Sequence, residues 1–385
     1  MMKKVLIILS SYLPGFRSGG PQRTIENVCD NYSKKCDIYI FTLNHDHNDM
    51  TPYDVPVDQW IERYGINIKY VKDVDYGIGA LKELYNEFDT IYACSLFDKA
   101  TYEMILINRL SKEKKKLYVA PMGVFSEGAL SSKLFKKKMF LNVFSWIGAF
   151  KNIEWSFTSE IEYEEAQKAI GKKNIVNYII AEDLPKQYEW DVLKTNLKAS
   201  DSGVLKIVFL SRIVKKKNLL FCAKILSKQF NGKIIFDIYG SQEDPNYWNI
   251  CDRELSKCAS NIHISYKGEV KPEAVIDIFH MYDCFLFPTM GENFGHVIYE
   301  ALSAGCIPVI SDKTPWIEIA DDGCGFVAEL DDVERFAKYI DVLLNMEEKE
   351  LFLMKQKAVE FAKAKYEKTI SVTGYNKVFL DGHTK

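Results

Sequence analysis

Short apolar runs alternate with helical stretches along most of this chain, and that alternation restricts the fold more than any other feature. In the first half the runs fall at residues 5–9, 37–42, 68–71, 90–93 and 117–120, and 157–159 and 175–181 close the series. Runs so short and so apolar predict strands buried on both faces, and helical stretches between them imply parallel βαβ units with right-handed crossovers. The polar stretch 182–203 contains Pro185, lacks periodicity and reads as a linker. A second alternation then sets in, with runs at 204–210, 234–239, 262–266, 284–287, 307–311 and 325–328. The expectation is an α/β chain of two doubly wound, Rossmann-like parallel-sheet domains facing a cleft, at 1–185 and 203–365. The helical end, about residues 366–385, is expected to cross back and brace the first domain. A length of 385 residues agrees, because it exceeds what one core of ordinary size organises.

Composition removes several classes of function. A net charge of −3 supplies no global attraction to nucleic acid. The nine cysteines include no CxxC, and an odd number argues against a complete disulfide framework, so reduced thiols and a cytoplasmic setting are expected. The opening MMKKVLIILSSYLPG has an apolar core of only five residues, Val5 to Leu9, and reads as a first strand rather than a signal peptide. No apolar run approaches the length of a membrane span. The acidic and histidine-rich segments HDHND (His45 to Asp49) and Asp73-Val74-Asp75 read as solvated loops, and no metal is assigned.

The chemistry concentrates in the second half. In PTMGENFGHVIYEALSAGCIPVISD, from Pro288 to Asp312, an apolar strand ends in a glycine turn and feeds a helix beginning near Gly295. Helical spacing puts His296, Glu300 and Ser303 on one face, with Val297, Ile298, Ala301 and Leu302 toward the core. A helix start of this kind leaves outward-pointing N–H groups that favour an anion. Glu300, one turn in, suits sugar hydroxyls, as acidic residues serve riboses in dinucleotide folds. The plain alternative is a βαβ unit with two solvent-facing glutamates, Glu292 and Glu300. Upstream, LSRIVKKKNLL places Arg212 and Lys217 directly after a strand at the same sheet edge; guanidinium and ammonium together can neutralise a diphosphate without a divalent ion. The loop after the first strand carries Gly19 and Gly20. It matches neither GxGxxG nor GxxxxGK[ST], which removes the nicotinamide dinucleotide and Walker-type ATP readings.

Residues 133–155, KLFKKKMFLNVFSWIGAFKNIEW, repeat Phe135, Met139, Val143, Trp146 and Phe150 at helical spacing behind a lysine cluster. Two readings stay open there: a basic amphipathic helix on anionic lipid headgroups, and a core helix with a charged shoulder.

Arg212 with Lys217, then YKGEV, then PTMGENFGHVIYEALSAGCIPVIS resemble the retaining glycosyltransferases of family 4, which have the GT-B fold; Glu292 and Glu300 stand at the two ends of that family's E-x7-E motif. The resemblance covers the second domain well and the first mainly through its Gly-Gly loop and strand order. It implies that Glu300 holds ribose hydroxyls, that Glu292 with Asn293, Phe294 and Gly295 holds the transferred sugar, and that Arg212 and Lys217 carry the diphosphate. It further implies donor contacts at Gly240 and at the main chain near Val270, and a Gly20 loop facing the phosphates or the acceptor. The donor is then a UDP- or GDP-sugar and the acceptor a glycan, with retention at the anomeric carbon and no metal or other cofactor. The basic aromatic segment points to a lipid-linked acceptor in surface polysaccharide synthesis and to contact with the inner face of the plasma membrane. Two departures stand out: ACSLFDKAT lacks the histidine that many relatives place beside the sugar, and Pro121-Met122-Gly123 replaces an arginine-bearing turn. The competing expectations are a nucleotide-sugar epimerase of similar fold and a non-catalytic sugar-nucleotide-binding subunit.

Overall fold

The computed structural model describes residues 2–126, 130, 134–200 and 203–381. The chain divides into two compact units, one of Met1–Lys186 with Thr369–Lys385, the other of Gln187–Lys368.

The first unit is built on an eight-stranded sheet. Its strands are β1 (Lys4–Ile8), β2 (Asp37–Leu43), β3 (Trp60–Arg63), β4 (Ile66–Val71), β5 (Thr90–Cys94), β6 (Lys116–Ala120), β7 (Glu154–Phe157) and β8 (Asn177–Ile180). They lie in the order β3-β4-β2-β1-β5-β6-β7-β8, all parallel except the β3–β4 pair. Successive side chains of a strand point to opposite faces. Accordingly Leu6 and Ile8 enter one core while Val5, Ile7 and Leu9 enter the other. The second core also takes in Tyr375, Val378 and Phe379 from the end of the chain. There Phe379 stacks on Tyr32 at 5.0 Å and Lys3 Nζ donates to the Val378 carbonyl at 2.6 Å.

The second unit has a six-stranded, wholly parallel sheet of β9 (Val204–Leu210), β10 (Lys233–Tyr239), β11 (Ile262–Gly268), β12 (Cys284–Phe287), β13 (Ile307–Ser311) and β14 (Phe326–Ala328). The order β11-β10-β9-β12-β13-β14 reverses direction between β9 and β12. Ligands of open α/β sheets bind outside the carboxyl ends of the strands at such a switch point.

Three sequence expectations need correction. The helix expected across 133–155 spans Leu134–Trp146, with Lys133 outside the described residues. Gly148 then turns the chain with φ 67°, a short 3-10 turn follows at Ala149–Asn152, and Trp155 is a buried residue of β7. The strand expected at 157–159 accordingly lies at Glu154–Phe157, because Ser159 caps the next helix by accepting from the Glu162 amide. The expected linker contains a helix, Trp190–Thr195, whose Leu193 packs with Leu197 and Val359. β3 escaped sequence reading because WIER is a four-residue strand at the edge, half-exposed and without an apolar run. Among the described residues no helix is long and apolar enough to cross a membrane.

Candidate functional site

The β9/β12 switch point collects the cationic and acidic residues of the second unit. Past the end of β9, the Ser211 amide donates to Tyr239 O at 3.0 Å and the Ile213 amide to Ser241 O at 2.8 Å, which fixes the backbone of Arg212 between them. Gly240 makes this approach possible. It holds φ 139°, and a Cβ there would lie 1.8 Å from the Ser211 carbonyl oxygen. Gly240 N also donates to Gly268 O at 2.8 Å, tying the end of β10 to that of β11. Val270 follows two residues later, half-buried against the core.

A 3-10 turn, Lys215–Lys217, then delivers Lys217 toward β12. The two strand-end loops are laced together. Asn218 Nδ2 donates to Pro288 O at 3.0 Å, and Lys216 O accepts from the Met290 amide at 2.8 Å, with Thr289 Oγ1 3.2 Å away. Between them Lys217 Nζ donates to both carboxylate oxygens of Glu292, at 2.7 and 2.8 Å, and Thr289 Oγ1 donates to Oε1 at 2.8 Å. The pair is largely withdrawn from solvent, with side-chain exposures of 13% and 11%. Burial pulls the Lys217 ammonium below the ordinary lysine range; Glu292 opposes that shift and the charges of Arg212 and Lys216 add to it. Arg212 is more exposed, and its Nη1 lies 3.4 Å from Glu243 Oε2.

The helix expected near Gly295 spans His296–Ser303, with Gly295 as a left-handed N-cap (φ 81°, ψ 54°) and no side-chain cap. A side chain at 295 would crowd Ile298, Trp316 and Glu292, its Cβ meeting them at 3.1, 3.3 and 3.4 Å. Trp316 closes the turn from outside: its Nε1 donates to Phe294 O and its ring meets Phe294 edge-on at 5.3 Å. Asn293 is exposed. The helix is rotated relative to the expected faces. Ser303 and Glu300 are buried along with Ile298, Ala301 and Leu302, and Val297 is partly exposed. The alternative of two solvent-facing glutamates does not fit, since neither Glu292 nor Glu300 faces bulk water.

Gly20 belongs to the first unit, as the first residue of the helix Gly20–Tyr32. A Cβ there meets nothing within 4 Å, and the positive φ of 72° belongs to Gly19. What shapes this loop is Asp46, which belongs to a segment expected to be a solvated loop. Its carboxylate accepts from Ser11 Oγ at 3.0 Å, from the Phe16 amide at 2.8 Å and from the Arg17 amide at 3.1 Å. The neighbouring His45 reaches Asp73 at 3.2 Å, so the two acidic loops meet. Among the described residues no group of three or more metal-ligating side chains converges. The Pro121-Met122-Gly123 turn is pinned by Glu162, which accepts from Gly123 N at 2.5 Å and Thr158 N at 2.8 Å. Nothing local in the sequence marks Asp46 or Glu162 for these roles, because the loop amides they hold, Arg17 and Gly123, lie 29 and 39 positions away.

Comparison with known proteins agrees with this architecture. Residues 196–364 match the family model described as glycosyl transferases group 1. An uncharacterized 41.2 kDa protein in the cps region of Klebsiella pneumoniae is 25% identical over 301 residues, 77% of this chain and 79% of that protein. HepE of Anabaena, solved in complex with UDP and glucose, superposes with a TM-score of 0.65 at 15% identity, covering 96% of this chain and 97% of its own. WaaG, a glycosyltransferase involved in lipopolysaccharide biosynthesis, gives 0.63 at 14% identity over 98% of this chain and 100% of its own. Sucrose-phosphate synthase from Thermosynechococcus elongatus gives 0.61 at 13% identity over 98% and 96%. The fold is therefore the GT-B fold of glycosyltransferases, and the second unit carries the group 1 sequence pattern.

Proposed function

We propose that this protein transfers a sugar from a UDP- or GDP-sugar to a lipid-linked glycan acceptor, with retention of anomeric configuration, in the assembly of a surface polysaccharide. The observation that carries the reading is the Lys217–Glu292 pair at the β9/β12 switch point, with the charge of Arg212 close enough to be felt at Lys217. The match of residues 196–364 to the group 1 model and the cps-region relative support it.

In the proposed reaction the bond between the sugar C1 and the diphosphate oxygen breaks, and its electron pair leaves with the nucleoside diphosphate. The acceptor hydroxyl oxygen bonds to C1 on the same face, and its proton passes to the departing phosphate oxygen. The transition state has oxocarbenium character on the sugar and growing negative charge on the leaving group. Fixed cations that meet this charge lower the barrier when they bind it more strongly in the transition state than in the ground state. An ammonium has three N–H donors; Glu292 engages Lys217 on one side, leaving a donor for a phosphate oxygen. Arg212 adds a guanidinium, so two cationic side chains meet the diphosphate without a divalent ion. Glu292 and the Asn293 to Gly295 backbone receive the transferred sugar, Glu300 the ribose, and the turns at Gly240 and Val270 the rest of the nucleotide. The Gly20 loop of the first unit serves the phosphates or the acceptor, and the reaction takes place on the cytoplasmic side.

The test is incubation with labelled UDP- and GDP-sugars, with and without a lipid-linked glycan extract. Labelled glycolipid whose new linkage keeps the donor's anomeric configuration by NMR is the expected product. Free epimerised nucleotide sugar formed without acceptor, or donor binding with no turnover on any extract, overturns the proposal.

A further inference from the structure

The helix Leu134–Trp146 in the first unit has two apolar faces, and only one of them is used by the core. Inward, Phe140 stacks on Phe144 at 4.0 Å and meets Phe97 and Tyr102 at 5.5 and 5.7 Å, while Leu141 is buried beside them. Outward stand Phe135, Met139, Val143 and Trp146, exposed by 80%, 55%, 48% and 87%. At 3.6 residues per turn these four occupy about 80° of the helix circumference, turned away from the side that carries Phe140, Leu141 and Phe144. Lys136 and Lys138, both exposed, project on either side of that stripe. Lys137 is drawn inward over the Phe97 ring at 5.1 Å. Phe150 and Trp155, of the same aromatic segment, are fully buried and contribute nothing to the outer face.

We propose that this outer stripe is a docking face for an anionic lipid surface, with Phe135, Met139, Val143 and Trp146 entering the headgroup–acyl boundary. Lys136 and Lys138 bracket them and meet lipid phosphates. A helix whose second apolar side is flanked by lysines lies in the interface plane, and the lysine stems snorkel to keep their ammonium groups at headgroup level. The charge arrangement selects this occupant over a second copy of the chain. The helix Leu134–Trp146 carries three lysines and no acidic residue, so its charge complements an anionic surface, whereas a second copy would offer the stripe the same cationic helix. The helix has 13 residues, too few to span a bilayer, so it rests on the surface. The proposal does not depend on the transfer reaction, and its test reads binding alone.

The full chain is sedimented with phosphatidylcholine vesicles with and without phosphatidylglycerol. Binding only to the anionic vesicles, weakened by salt, is expected, with a blue shift of tryptophan emission that is lost in Trp146→Phe. Lys136→Gln with Lys138→Gln should lower partitioning by about fivefold per lysine, and Phe135→Ser with Trp146→Ser should abolish it, both with unchanged melting temperature. The proposal is overturned if the full chain stays in the supernatant with anionic vesicles, or if the lysine variant binds as well as the original. It is equally overturned if sedimentation equilibrium shows self-association that the Phe135→Ser, Trp146→Ser chain loses while vesicles bind neither.

Discussion

The ammonium of Lys217 lies 2.7 and 2.8 Å from the two carboxylate oxygens of Glu292, although 75 positions separate them in the chain. They meet because β9 and β12 are neighbours in the sheet, and Asn218 and Lys216 hold the loops after these strands together. A buried cation so placed is costly without its carboxylate, and the carboxylate is equally costly without the cation. The diphosphate of a donor would enter beside a charge whose desolvation has already been met by the fold.

Removing either cation should damage transfer, and removing Lys217 should also cost stability because it strands the buried Glu292 carboxylate. Lys217→Ala and Arg212→Ala are each expected to lower kcat about a hundredfold to a thousandfold. Near-normal turnover in both, measured with saturating donor, would sink their assignment to the diphosphate.

The pH profile should report Lys217 directly. Its ammonium titrates below the usual 10.5, burial being the main cause. Its charge, and with it kcat/KM, is therefore expected to fall on the alkaline side earlier than an ordinary lysine would allow. Lys217→Arg should move that limb to higher pH, because a guanidinium stays protonated. An unmoved limb in this variant would assign the titration elsewhere.

Asp183, just past β8, makes the first unit less stable toward neutral pH. Burial raises its carboxyl to about 7, only partly offset by a hydrogen bond with Thr24. The folded state thus binds more protons than the unfolded one between the usual aspartate value and about 7. Stability then falls as pH rises through that window, by up to roughly 4 kcal/mol. Asp183→Asn should flatten the trend; urea midpoints at about pH 5 and about pH 8 would show it. An identical slope in the variant would refute the account.

Gly240→Ala tests the approach of two backbones. A Cβ would sit 1.8 Å from Ser211 O, so the turn carrying Arg212 must move. About 1 to 3 kcal/mol of stability should be lost, with weaker nucleotide binding by titration calorimetry. Unchanged stability and affinity would show that the turn tolerates the displacement.

Much of the fold was legible because parallel strands buried on both faces are written locally, as apolar runs such as 204–210 and 284–287. The glycine turn and helix after β12 were legible for the same reason, a strand, a left-handed glycine and a helical period standing in sequence. Less legible was the direction a helix turns its side chains. Glu300 and Ser303 have the spacing of an outer face, yet both are buried, because burial is set by what packs on the helix and not by its period. The Leu134–Trp146 helix is apolar on two sides, and periodicity alone does not say which side meets the core.

By itself the sequence determined the alternation of strands and helices, the parallel sheets, the strand ends that carry Arg212, Lys217 and Glu292, and the helix that carries Glu300. Only the tertiary structure decided that Lys217 closes on Glu292 while Arg212 turns to Glu243, that Asp46 clamps the loop before Gly20, and that Trp146 faces outward while Trp155 is enclosed. The reason is range. Strand and helix preferences act between residues a few positions apart, whereas ion pairs and buried faces depend on which strands become neighbours in the sheet.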